Sequence, residues 1–393
     1  MINKARLHTF EIVAKDSKSQ ARRGLLRTAH GPLETPCFFP VGTAGTVKTL
    51  SPDELLGAGV QGILANSYHL YLRPGLEVLR AAGGLHRFMN WHRPILTDSG
   101  GYQVFSLANL KRVEDEGVLF QSHIDGSYHF LTPAKVIEIQ RAIGSDLMMP
   151  LDLCAPYPTT YAQAKEWHEQ TLLWAAEAQH EHEKQPFLYG HPQELWGIVQ
   201  GSTFEDLRRE SIERLSEMDF PGYAIGGLAV GEPRAVFLEM VELCAELLPG
   251  EKPRYLMGVG TPADLLDAVA LGMDFFECVL PTRVGRGGSA FTWKGRLSVK
   301  AAHEKEAFTP MDSDCSCYAC RNFTRAYLRH LFVAEESLAL RLVSLHNVHF
   351  YQELMARMRQ KIADGTFSHW KSEIQETLRE AESGEQVAND AAE

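Results

Sequence analysis

Long apolar runs are missing from this chain: none approaches the ~18 residues that a membrane helix needs, so a membrane-spanning helix is excluded. Positive charge is also in short supply. Thirty-nine lysines and arginines face 50 aspartates and glutamates, a net charge of −11, which argues against a general polyanion binder. Cysteines number only seven, and three of them fall between positions 315 and 320. The opening stretch, Met1 to Phe10, is polar and mixed, with no apolar signal region; a cytoplasmic protein is expected, in which disulfides are rare. Gly258-Val259-Gly260 lacks the third glycine of a dinucleotide fingerprint. Compositional bias is absent too. Apolar residues at 45% and charged residues at 23% are ordinary globular values, and 393 residues can bury a full core without staples.

Charge is placed unevenly. From Glu373 to Glu393 there are seven acidic residues and one arginine, whereas Pro281 to His303 holds five basic residues and no acid. The basic stretch is a candidate phosphate-contacting face, set against the plainer reading of a solvated surface.

Eight short apolar runs recur, each ending on a glycine or a polar residue: Cys37–Val41, Gly62–Ala65, Pro94–Thr97, Leu147–Leu151, Trp196–Val199, Gly222–Ile225, Arg254–Met257 and Met273–Phe276. Continuous apolar runs read as buried parallel strands. Between them lie helical stretches with start signals at Ser51-Pro52, Thr132-Pro133 and Thr261-Pro262, and further helices over Gln163–Lys184, Phe204–Met218 and Val236–Leu248. The alternation predicts an α/β fold, a (β/α)8 TIM barrel, with a doubly wound open sheet as the alternative. Asp125-Gly126 within Val118–Leu131 predicts a hairpin. The expected organisation is an N-terminal β cap over 1–36, the barrel over 37–296 and a zinc-binding subdomain over 297–350. A long helix striped by Phe350, Leu354, Met358 and Ile362 leads into a C-terminal helical region over 351–382, which precedes a disordered acidic tail over 383–393.

The sharpest motif is Cys315-x-Cys317-x-x-Cys320 with His346 beyond it. Three thiolates and an imidazole complete a tetrahedral zinc shell with no open position, the structural kind of site. In a barrel, chemistry collects at the C-terminal ends of the strands. Those ends carry Asn66, Asp98, Asp152, Gln200, Gly227 and Glu277. Taken singly, each reads as a strand-end cap; together, three carboxylates and two amides at one mouth suit a planar polar molecule and acid/base or nucleophilic work.

These motifs, in combination, resemble the bacterial tRNA-guanine transglycosylases. The stretches that carry the resemblance are Thr97-Asp98-Ser99-Gly100-Gly101-Tyr102-Gln103-Val104, Gly197-Ile198-Val199-Gln200-Gly201, Ala224 to Glu232, Tyr255 to Gly260, Cys278-Val279-Leu280-Pro281-Thr282-Arg283 and the zinc ligands. The resemblance implies exchange of the wobble guanine of certain tRNAs for a 7-substituted 7-deazaguanine, by double displacement. It makes Asp98 the general acid/base and Glu277 the nucleophile. Asp152 would accept from the guanine N1–H and amine, Gln200 and the Gly227 amide would hold the carbonyl, and Tyr102 and Met257 would sandwich the ring. Ser99, Gly100, Gly101 and Leu228 would complete the base pocket. For RNA, it assigns Thr282, Arg283, Val284, Gly285 and Arg286 to wobble recognition, and Gly258, Val259, Gly260, Thr261, Pro262, Ala263 and Asp264 to a second contact loop. One structural zinc per chain, a tRNA substrate and a homodimer packed partly through the zinc region are implied as well.

Two positions depart from the family pattern. Its nucleophile is an aspartate, where this chain has Glu277, one methylene longer; a shift of ~1 Å can cost ~100-fold. Leu153 stands where bacterial relatives usually have a glutamate, and its expected effect is to remove a partner for a cationic aminomethyl group, shifting preference towards queuine. Val230 argues the other way. Two other functions compete: a non-catalytic tRNA-binding subunit, and a barrel glycosidase using Asp98 and Glu277 as its carboxylate pair.

Overall fold

A strand that is apolar on both faces is stable only where both faces are covered, and the chain covers them by closing on itself. The structure, a computed structural model, describes residues 9–107 and 111–389. Its central strands are β1 Cys37–Pro40, β2 Ile63–Ala65, β3 Ile95–Thr97, β4 Leu147–Met148, β5 Gly197–Val199, β6 Tyr223–Ile225, β7 Arg254–Leu256 and β8 Phe275–Cys278. All pair in parallel, in the orders β2-β3-β4 and β5-β6-β7-β8-β1. A Val41–Leu64 bridge joins β1 to β2. β4 pairs with the short strand Glu194–Leu195, which runs through Trp196 into β5. The ring is therefore a closed eight-stranded barrel, and the open-sheet alternative falls.

The helices start where their capping signals stand. Ser51 closes a capping box on Pro52–Gly57, and Thr132 and Thr261 cap Pro133–Ile143 and Pro262–Ala270 through their side-chain oxygens. Tyr161–Lys184, Glu205–Glu217 and Arg234–Leu247 cover the outer faces of the neighbouring strands. Inside the barrel, Phe39, Leu64, Leu96, Leu147, Trp196, Ile198, Ala224, Tyr255 and Phe275 form one cluster. The meander Phe10–Lys15, Arg22–Thr28 and Gly31–Thr35 closes one end. Its Leu26 and Leu33 join the interior cluster, and buried Arg22 forms a two-pronged ion pair with Asp274 just before β8.

Between β3 and β4 lies a three-stranded antiparallel sheet containing the expected hairpin, Gly117–Gln121 against Tyr128–Leu131. Beyond β8, Leu280–Gly287 packs on the long helix Ser337–Ala363, whose stripe Phe350, Leu354, Met358 and Ile362 is buried against the barrel. The hairpin Ser289–Thr292/Gly295–Ser298 straddles position 296 and packs with the cysteine cluster, Ala290 and Cys315 sharing one core. The helix Phe367–Asn389 extends into the acidic tail expected from Ser383. Glutamate, glutamine and alanine are good helix formers, and no proline interrupts them. Residues 390–393 of the expected tail lie outside the described residues. Among the described residues, no helix is long and apolar enough to cross a membrane.

Candidate active site

Side chains alternate along a strand, so the inward residue of each β strand determines which later residue faces the mouth. Two residues beyond inward Leu64, Leu96, Ile198, Tyr255 and Phe275 come Asn66, Asp98, Gln200, Met257 and Glu277. All five line one cavity of about 510 Å³ at the C-terminal mouth. Asp152, Ser99, Tyr102, Gly227, Leu228, Gly258 and Arg283 line it too.

Asp98 is pinned by its neighbours. Ser67 N donates to Oδ1 at 2.9 Å and Asn66 Nδ2 donates to Oδ2. Burial nevertheless lifts its carboxyl to about 7, with the Glu277 charge pushing the same way. Glu277 Oε1 accepts from Gly258 N at 2.8 Å and from the Tyr255 hydroxyl at 3.1 Å. Those bonds turn one oxygen to the wall; burial lifts this carboxyl also to about 7. Asp152 accepts from Ser99 Oγ at 2.9 Å and from Gln200 Nε2 at 2.8 Å, and burial raises it against both bonds. Gln200 Oε1 is a buried acceptor without a partner. Gly227 has φ +66°, and a Cβ there would stand 2.3 Å from Gln200 Oε1; at Gly101 it would stand 2.8 Å from the Asp152 carbonyl. Both positions need glycine for the wall to close as it does.

The arrangement holds two carboxyls that titrate near neutrality beside a third that is tied to an amide, with an exposed aromatic and a thioether at the edges. It suits a flat donor-rich ring and acid/base or covalent chemistry at its side. A family model described as Queuine tRNA-ribosyltransferase matches residues 16–380. The chain belongs to the queuine tRNA-ribosyltransferase family. A protein of that name from Thermoanaerobacter pseudethanolicus is 54% identical over 365 residues, 93% of this chain and 96% of that protein. One from Dictyoglomus turgidum is 50% identical over 377 residues, 94% and 95% of the two chains. One from Moorella thermoacetica is 51% identical over 357 residues, 91% and 94%.

The expected RNA segments of this queuine tRNA-ribosyltransferase relative are less exposed than their polarity implies. In the Gly258–Asp264 stretch, Val259, Pro262 and Ala263 are buried, and Asp264 is bonded by Thr261 Oγ1 and Arg234. Only Gly258 of that stretch reaches the cavity. Thr282–Arg286 lies on the helix Leu280–Gly287. Thr282 is buried, Gly285 packs against the Ser344 backbone, and Arg286 Nη1 is buried without a partner. Arg283 alone of this segment is exposed at the mouth.

Leu153 corrects an expectation. Its side chain is buried in an apolar cluster with Leu151, Val104 and Trp174, outside the cavity lining. It takes no base-facing position, so its lost carboxylate says nothing direct about the incoming base. The motif reading also missed Ser67 and Tyr255 as partners of the two carboxyls. Tyr255 was accessible to the alternation rule; Ser67, a backbone donor in the first turn after β2, had no sequence signal.

Cys315, Cys317, Cys320 and His346 converge, all buried, away from the cavity. The three sulfurs lie 3.5, 3.6 and 3.3 Å from His346 Nδ1. A tetrahedral ion bonded at about 2.3 Å to sulfur and about 2.05 Å to nitrogen requires an edge of about 3.6 Å, so the donors fit. His346 Nε2–H donates to the Phe291 carbonyl at 2.7 Å, which leaves Nδ1 as the free lone pair.

Proposed function

We propose that the enzyme exchanges the wobble guanine of tRNA for a 7-substituted 7-deazaguanine by double displacement. The observation that carries this is the Asp152–Gln200 pair beside Asp98 and Glu277 in one cavity: a recognition edge and two chemical carboxyls, in a chain of this family. Asp152 accepts the paired N–H donors of the guanine edge, a strong charge-assisted contact. Gln200 and the Gly227 amide take the carbonyl, and Tyr102 and Met257 flank the ring. The base must leave its stack to enter such a pocket.

Glu277 is held through Oε1, so Oε2 is the oxygen that attacks the anomeric carbon. The glycosidic electron pair leaves with guanine, and Asp98 supplies the proton. Asp98 then takes the proton of the incoming base, whose nitrogen displaces the Glu277 ester. Two inversions retain configuration. The longer Glu277 side chain is accommodated by its two anchors, and it supports a working nucleophile. A non-catalytic subunit would have no use for this intact constellation, and a glycosidase would have none for the Asp152–Gln200 edge.

Zinc is the ion we assign to Cys315, Cys317, Cys320 and His346; three thiolates and an imidazole select it, and its chemistry there is to clamp the fold. For the incoming base, Glu232 accepts from the N–H groups of Ala229 and Val230. The peptide before Ala229 then offers a ligand its carbonyl, an acceptor that favours the aminomethyl base. Homodimer packing through the zinc region is supported by exposed Tyr318, Tyr327 and Val333. Arg283 would meet the RNA near the flipped nucleotide. The test is incubation with radiolabelled guanine and tRNA: label is expected in the RNA, and tRNA that stays unlabelled at enzyme concentrations near stoichiometric refutes the reading.

A further inference from the structure

Arg208 has no exposed surface, and none of its hydrogen-bond partners is a carboxylate. A buried cation without a carboxylate is costly, which raises the question of what it holds. Its guanidinium donates to main-chain carbonyls, Nε to Ser202 at 2.7 Å, Nη2 to Gly226 at 3.0 Å and Gly227 at 3.3 Å, and Nη1 to Val199 at 3.5 Å, with the buried Cys244 thiol as its side-chain neighbour. Val199 ends β5 and precedes Gln200; Gly226 and Gly227 follow β6. One side chain from the helix Glu205–Glu217 thus clamps the two strand ends that carry the carbonyl-reading half of the pocket.

Peptide planarity gives the clamp its consequence. In a trans peptide the N–H points opposite to the C=O of the preceding residue. With the Gly226 and Gly227 carbonyls drawn to Arg208, the N–H groups of Gly227 and Leu228 are turned the other way. The Gly227 N–H indeed faces the thiol of Cys154, which lines the cavity. Successive N–H groups of this kind form an anion-accepting concavity, and the positive φ at Gly227 is what lets two consecutive carbonyls reach one guanidinium.

We infer that Arg208 is a positioning residue for base exchange: it aims the Gly227 and Leu228 N–H groups at the carbonyl oxygen of the bound base and, as a fixed positive charge behind them, favours the negative charge that gathers on that oxygen when guanine departs. The inference rests on the reading of Gly227 as the carbonyl-holding amide. It differs from a general packing role because only ligands with a good acceptor at that position should respond.

The test compares guanine with 6-thioguanine, which keeps the N1–H and amine and replaces the oxygen by a poor acceptor. Dissociation constants are measured for wild type and Arg208→Lys, which keeps the charge and loses the fork that reaches several carbonyls. Guanine binding is expected to weaken at least about tenfold, while 6-thioguanine changes by less than about threefold. Equal weakening of both ligands would reduce Arg208 to packing and overturn the inference. Wild type that binds both ligands equally would overturn it at its base, by removing Gly227 from carbonyl recognition. Should the variant fail to fold, hydrogen exchange on wild type decides: guanine must slow exchange in the peptide spanning Gly227 and Leu228, and unchanged exchange there rejects the inference.

Discussion

Asp152 shows how much a single carboxylate does in this site. It is buried, raised by burial, and tied to Ser99 and Gln200. Asp152→Asn replaces an acceptor with a group that also donates, opposite two donors, and should weaken guanine binding by about 2–4 kcal/mol; calorimetric affinity like that of wild type would remove Asp152 from the pocket. Asp98 and Glu277 set the pH response. Both are lifted to about 7, so each favours folding in its protonated form: that contribution is complete below about pH 4 and is lost as pH rises through 7. Glu277→Gln, which mimics the protonated acid, should therefore raise Tm more at pH 8.5 than at pH 5.5. The proposed double displacement uses Glu277 ionised and Asp98 protonated, so kcat/KM should be bell-shaped around pH 7. A flat profile from pH 5.5 to 8.5 contradicts these assignments.

Legibility tracked regular structure. Where β2, β3, β5, β7 and β8 keep their alternation, the mouth residues Asn66, Asp98, Gln200, Met257 and Glu277 could be read two positions beyond the last inward side chain. β4 spans only Leu147–Met148, and the irregular backbone after it gave no rule for Leu153, which turned outward into the apolar cluster. The same limit applies to Gly258–Asp264: Thr261-Pro262 starts a helix, and a helix buries one face, here Pro262 and Ala263. Arg208 was invisible, since nothing in its spacing distinguishes a solvated helix arginine from a buried one. At this scale the Cys315, Cys317, Cys320 and His346 cluster carries its own prediction. It joins Tyr318–Asn322, the Phe291 hairpin and the helix Ser337–Ala363, so metal analysis should return one tightly held zinc per chain, and chelation should loosen this region before the barrel. Well under one equivalent in protein never exposed to chelator counts against it.

At the scale of the molecule, a net charge of −11 must still admit a polyanion, and Arg283 at the cavity mouth is where it can. Arg283→Ala should weaken tRNA binding and lower the salt dependence by a slope of about 1, with free-guanine affinity unchanged; loss of guanine binding instead would place Arg283 in the base pocket. The closed barrel brings carboxylates from the ends of β3 and β8, far apart in sequence, into one cavity, and the proposed double displacement turns on Glu277 forming a bond with the substrate. The most direct measurement mixes enzyme with tRNA, denatures the sample, and looks for a tRNA–protein adduct on a gel. Wild type should give the adduct, and Glu277→Asp should give it at least as readily. Glu277→Gln should give none while still binding tRNA. A Gln variant that forms the adduct, or exchanges guanine at the wild-type rate, contradicts the account.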